Sequence, residues 1–129
     1  VSTIVFDVNE TLLDITTLEP LFARVFGDAS VLREWFAELI LYSQTMTLSG
    51  RYAPFGALAG GVLRMVGANK DVTISDEDVT ELKSLIGSMP AHPDVAPALR
   101  RLREAGFRLV TLTNSPPSRA HAARESWYR

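Results

Sequence analysis

The chain has 129 residues, 47% hydrophobic and 22% charged, with a net charge of −2. That mix belongs to a globular protein able to bury a core, in one domain or in one core carrying a small insertion. It has no cysteine, which excludes disulfides and thiolate metal sites, and no apolar run nears the roughly 18 residues of a membrane span.

The first residues lack the basic and apolar regions of a secretory leader, so none is expected. Weak net acidity argues against nucleic acid as the main partner. No membrane partner is expected either, and a cytoplasmic location fits. The charge is uneven. Residues 1–99 carry 6 basic and 13 acidic groups, and residues 100–129 carry 7 basic and 2 acidic groups. A basic helix face around Arg100, Arg101 and Arg103, followed by a basic tail, accounts for the difference.

In chain order, Ser2-Thr3-Ile4-Val5-Phe6-Asp7 is a short, β-branched, nearly continuous apolar run. Such a run predicts a parallel strand buried on both faces. Thr16 or Thr17 can cap a helix running to about Gly27. From about Ser30 to Met46, Leu32, Trp35, Phe36, Leu39, Ile40 and Tyr42 make a broad apolar stripe, which predicts a second helix. Pro54 suits the first turn of a third helix ending near Gly67. Ser75-Asp76-Glu77-Asp78 opens a fourth, with acids placed for the helix dipole, and Gly87 closes it. Residues 89–93 read as a turn-rich linker. Asp94 can cap a fifth helix over 95–105, with Pro97 tolerated in its first turn. After Gly106, Arg108 to Asn114 reads as a second buried strand. Ser118 to Arg129 reads as a weak helix at most.

A crossover between parallel strands needs only a dozen or so residues. Residues 8–107 are far more than that, so most of them must form an additional helical layer. Both strand-like runs end in polar residues, at the sheet edge where open α/β folds bind ligands. Asp7 at such an edge can serve as a carboxylate nucleophile, forming an ester or anhydride with substrate. It can equally be a plain turn residue. Thr11, four positions on, can reach back to orient the carboxylate or bind an anion. Thr113 and Asn114, ending the second strand, can bind substrate oxygens or steady the nucleophile. Trp35, Phe36, Tyr42, Met46 and Phe55 read as helical core, and His92 and His121 as a loop and a surface residue.

Phe6-Asp7-Val8-Asn9-Glu10-Thr11-Leu12-Leu13-Asp14 resembles the first motif of the haloacid dehalogenase superfamily. Leu112-Thr113-Asn114-Ser115-Pro116 resembles its second motif. The helical insertion is similar to that family's cap. Leu112 to Pro116, the cap pattern and Ser49-Gly50-Arg51-Tyr52 are most similar to the type II L-2-haloacid dehalogenases. The resemblance covers roughly residues 3–117. It implies an α/β fold: a partial Rossmann-like parallel-sheet core over 1–15 and 88–129, with an inserted α-helical cap over 16–87.

The resemblance also implies a mechanism. Asp7 attacks the halogen-bearing carbon of a small anionic 2-halocarboxylic acid, and water then hydrolyses the aspartyl ester with inversion. Asp7 and Thr11 are then catalytic, and Asn9, Thr113, Asn114 and Ser115 bind substrate. No cofactor or metal is needed. A phosphatase of the same superfamily is the alternative, with Mg²⁺ on Asp7 and the Asn9 carbonyl. Such phosphatases usually carry a second aspartate as general acid where this chain has Asn9. Asparagine cannot supply that proton, and a halide leaving group needs none.

The chain departs from the family in two places. Type II dehalogenases place an arginine next to the tryptophan matched by Trp35, where this chain has Phe36. The superfamily also carries a lysine and an acidic motif after the second strand. Here no Lys or Asp follows Asn114, and Glu125 is the only acid there. The chain therefore reads as truncated, with a missing C-terminal segment or a second copy completing the sheet. A catalytically silent fragment or binding module is the third reading.

Overall fold

The computed structural model describes residues 1–113, so Asn114, Ser115, His121 and the expected weak helix after them lie outside the described residues. The elements in chain order are β1 (Thr3–Phe6), a 3-10 turn (Ile15–Leu18), α1 (Glu19–Phe26), α2 (Val31–Leu48), α3 (Phe55–Asn69), α4 (Asp76–Gly87), α5 (Val95–Glu104) and β2 (Arg108–Thr111). The chain divides into two compact units, Val1–Ile15 with Met89–Arg129, and Thr16–Ser88. Among the described residues no helix is long and apolar enough to cross a membrane.

In the first unit β1 and β2 pair in parallel, with Ile4 beside Leu109 and Val5 beside Val110. α5 leads into β2 and packs against it. Gly106 ends that helix at φ +87°, where the lack of a Cβ removes the steric penalty. The N–H groups of Gly106 and Phe107 then donate to the Arg103 and Leu102 carbonyls. Arg100, Arg101 and Arg103 are all exposed. Burial of β1 on both faces does not hold. Ile4 and Phe6 are half-buried, whereas Thr3 is exposed and Val5 is 57% exposed. Among the described residues of this unit α5 is the one helix available to cover the pair, so one row of side chains stays open. Both strands are also shorter than expected, ending at Phe6 and Thr111.

In the second unit α2 packs against α1 and α3, and α4 packs against the same two. Phe22, Leu32, Trp35, Leu39, Leu63 and Leu82 form its all but fully buried centre. Small residues let α3 approach its neighbours closely. A Cβ on Gly60 would meet Val79 Cγ1 at 2.8 Å, and one on Gly67 would meet the Val72 carbonyl oxygen at 2.8 Å. Substitution at Gly67 forces backbone to move, because main chain as well as the Ile74 side chain stands in the way.

Some expected helix details are corrected. Thr16 and Thr17 lie inside the 3-10 turn, which feeds straight into α1, so the N-cap position falls on Leu18 without a side-chain cap. Pro54 stands just before α3 rather than in its first turn. Asp94 occupies the N-cap position of α5 with φ −86° and ψ −11°, helical angles that do not aim a side chain at the first N–H groups. Tyr42 is 41% exposed and so leaves the expected core, because the α2 stripe is broader than the face its neighbours cover. Phe36 and Met46 are half-buried.

Ser75 and Asp78 do form a full capping box on α4. The Asp78 N–H donates to Ser75 Oγ at 3.1 Å, and the Ser75 N–H donates to Asp78 Oδ2 at 2.9 Å. Asp78 is buried, and Arg24 of α1 pairs with it at 3.0 Å. The Ser75 backbone N–H foremost, then its hydroxyl and Arg24, hold the Asp78 carboxyl below its ordinary value against the opposing cost of burial. A depressed carboxyl contributes stability that is complete above its unfolded value of about 3.9 and is lost as pH falls through the folded value. Acid titration of the melting temperature from about pH 5 downward is expected to show this loss, with a shallower slope for Asp78→Asn. Ser75→Ala is expected to cost about 1 kcal/mol at neutral pH.

Candidate active site

Asp7 is the first residue beyond β1 and is exposed. The loop after it closes on itself. The buried Val8 turns its carbonyl to accept the N–H groups of Leu12 at 2.9 Å and Leu13 at 3.0 Å. Glu10 takes φ +67°, a left-handed angle that a side chain with a Cβ disfavours. This tight turn brings residue 11 back over residue 7, and the Thr11 hydroxyl donates to Asp7 Oδ2 at 2.9 Å. One carboxylate oxygen is thereby held, which restrains the rotation of the group.

The parallel ladder continues one step past the strands, because the Leu112 N–H donates to the Phe6 carbonyl at 2.8 Å. Asp7 and the Leu112-Thr113 segment therefore leave the sheet at the same edge, as expected from the polar ends of both runs. Thr113 is half-buried. Asn9 is half-buried in the Asp7 loop and bridges to Leu13. Asn114 and Ser115 lie outside the described residues. Asp7 and Asn9, the residues of the magnesium alternative, share one loop, and no cluster of three or more His, Cys, Asp or Glu is assembled among the described residues.

Sequence reasoning missed the partner of this loop. Residues 89–93 form no mere linker, for they pair with residues 12–14. The Asp14 N–H donates to the Pro90 carbonyl at 2.8 Å, the His92 N–H donates to the Leu12 carbonyl at 3.0 Å, and Leu13 bridges Ala91 in antiparallel fashion. His92 Nε2 also sits 3.2 Å from the Glu10 carbonyl oxygen. A signal was present. Met89 and His92 each precede a proline, and that position favours extended backbone ready to pair.

In the helical unit Phe36 lies against Trp35 with ring centroids 6.2 Å apart. Lys70, just past α3, forms an ion pair with Glu34 at 2.7 Å, and Lys83 lies on α4. Both lysines of the chain thus belong to that unit.

A family model described as haloacid dehalogenase-like hydrolase matches residues 1–126. The chain belongs to this family. An (S)-2-haloacid dehalogenase of Pseudomonas putida is 30% identical to this haloacid dehalogenase-like chain over 114 residues, 86% of the chain and 50% of the relative. One from Pseudomonas fluorescens is 29% identical over 113 residues, 85% of the chain and 49% of that protein. The chain thus spans about half the length of the curated relatives it matches.

A solved L-2-haloacid dehalogenase superposes with a TM-score of 0.87 at 27% identity, covering 98% of this chain and 58% of its own. The enzyme of Xanthobacter autotrophicus, solved with chloropropionic acid covalently bound, gives a TM-score of 0.80 at 21% identity. It covers 95% of this chain and 50% of its own, and at that identity it speaks for the fold alone. The α/β fold expected from the sequence is the fold of these dehalogenases.

Proposed function

We propose that this haloacid dehalogenase-like chain carries the nucleophile and the helical cap of a hydrolase acting on a small 2-halocarboxylic acid. The observation that carries the reading is the Thr11 hydroxyl on Asp7 Oδ2 at 2.9 Å, just beyond β1. The likeness to (S)-2-haloacid dehalogenases supports the substrate class. Thr16–Ser88 is the cap on this reading, and residues 1–15 with 89–129 are the part of the α/β core that this stretch holds.

Asp7 Oδ1 attacks the carbon bearing the halogen. A C–O bond forms, the carbon–halogen bond breaks, and the halide leaves with the bonding pair. Water then adds to the aspartyl carbonyl carbon. The hydroxy acid departs with inverted configuration, the carboxylate is restored and one proton passes to solvent. Halide departure needs no proton donor, which suits Asn9. Thr11 orients Asp7, while Asn9, Thr113, Asn114 and Ser115 bind the substrate. The lysine and acidic group that the family resemblance calls for come from further chain or from a second copy.

One observation favours a second reading, that of a catalytically silent binding module: both lysines lie in the helical unit, and Lys70 is engaged by Glu34. Chloride release from L-2-chloropropionate without metal, measured beside Mg²⁺-dependent phosphate release from a generic phosphate ester, separates the readings. Chloride release is expected. Phosphate release alone would make the chain a phosphatase. Silence in both assays from a chain folded by circular dichroism would favour the catalytically silent reading for this stretch.

A further inference from the structure

His92 grips the Asp7 loop twice. Its backbone N–H donates to the Leu12 carbonyl at 3.0 Å, and its ring Nε2 lies 3.2 Å from the Glu10 carbonyl oxygen, across 82 residues of sequence. A carbonyl oxygen can only accept, so Nε2 is the protonated nitrogen in this contact. The two held carbonyls flank Thr11, whose hydroxyl donates to Asp7 Oδ2. Glu10 meanwhile holds φ +67°. A left-handed angle costs a non-glycine residue on the order of 1–2 kcal/mol and persists only where its surroundings enforce it. Releasing the Glu10 carbonyl would let that backbone relax and would swing Thr11 away from the carboxylate.

We infer that His92 is a positioning residue for the nucleophile: its Nε2–H holds the Glu10 carbonyl, keeps Glu10 left-handed and so keeps the Thr11 hydroxyl on Asp7. It acts through the loop and touches no reacting atom. The inference rests on Asp7 being the nucleophile, and the side chain is separable from the fold. Any substitution but proline keeps the backbone N–H on the Leu12 carbonyl, and His92→Gln keeps a side-chain donor as well.

The test is solution NMR of the ¹⁵N-labelled chain, with wild type, His92→Phe and His92→Gln. In wild type the long-range ring correlations of His92 are expected to show the proton on Nε2. In His92→Phe the Leu12 and Leu13 amides, which donate to the Val8 carbonyl, are expected to exchange about tenfold faster, the factor that about 1.4 kcal/mol of lost local stability produces. The Glu10 amide–α-proton coupling should move away from its left-handed value, and His92→Gln should recover most of both changes. An Nε2 without a proton in wild type overturns the inference, and that measurement stands even where a variant does not fold. Unchanged exchange and coupling in His92→Phe overturn it too.

None of these readouts needs turnover. A chain that passes them yet releases no chloride keeps the positioning role and loses only the hydrolase reading. Where chloride is released, His92→Phe is expected to lower kcat by roughly ten- to a hundredfold with KM little changed, as a displaced nucleophile does.

Discussion

Asp7→Asn is expected to lower chloride release from L-2-chloropropionate by roughly 10⁴-fold or more, with the fold intact. An amide has no negative oxygen to displace a halide, and removing a covalent nucleophile costs about that much where a whole mechanism depends on it. The fold should not suffer. Asp7 is exposed, and an asparagine oxygen can still accept the Thr11 hydroxyl at the 2.9 Å contact. Unfolding free energies of the two proteins should therefore agree to within the change expected of a surface substitution, about 0.5 kcal/mol. Rapid quenching with the haloacid followed by mass spectrometry gives a second check. Wild type should gain the mass of a 1-carboxyethyl group, ester-linked, on the peptide containing Asp7, and the variant should not. Chloride release that survives the substitution would remove Asp7 from the nucleophile role, whatever its hydrogen bond to Thr11.

Trp35→Ala is expected to destabilise the helical unit by about 3–5 kcal/mol. Trp35 is 1% exposed and joins three helices. It sits on α2, its ring lies 5.3 Å from that of Phe22 on α1, and its Nε1–H donates to the Ala59 carbonyl of α3 at 3.1 Å. Truncation removes the ring, leaves a cavity where the helices meet and deletes the hydrogen bond. Domains of this size have only about 5–15 kcal/mol in total, so the variant should unfold at far lower urea concentration or not fold at all. Trp35→Phe separates the two contributions. It keeps most of the ring volume and loses the Nε1 donor, so a smaller cost of about 1–2 kcal/mol is expected. Urea unfolding of the three proteins checks both values. A cost under about 1 kcal/mol for Trp35→Ala would mean that the helices meet elsewhere than around this indole.

The contrast between these residues shows what could be read early. Asp7 and Thr11 were legible together because their contact is local, four residues apart within one turn. The Ser75–Asp78 box was legible in part for the same reason, since the acids and the serine sit in consecutive positions. Asp94 looked like an equal cap, but its side chain depends on backbone angles that the preceding segment imposes. That segment is itself held by Leu12 and Asp14, nearly eighty residues earlier in the chain. Tyr42 failed as a core residue because a stripe on α2 states only which faces are apolar, and the neighbouring helices decide how much of that stripe is covered.

Local chemistry in the chain was enough to determine the family, the strand–helix order and the pairing of Asp7 with the Thr11 hydroxyl, since each is written in residues close together along the chain. Tertiary structure alone decided that residues 89–93 pair with the Asp7 loop and that His92 reaches Glu10. It also decided that, among the described residues, Val5 of β1 stays exposed while Ile4 and Phe6 are half-buried. Pairing between distant segments depends on where the folded backbone brings unpaired N–H and C=O groups into reach, and no local preference encodes that meeting. The histidine that reads as a plain loop residue therefore becomes, in the folded chain, a support for the aspartate.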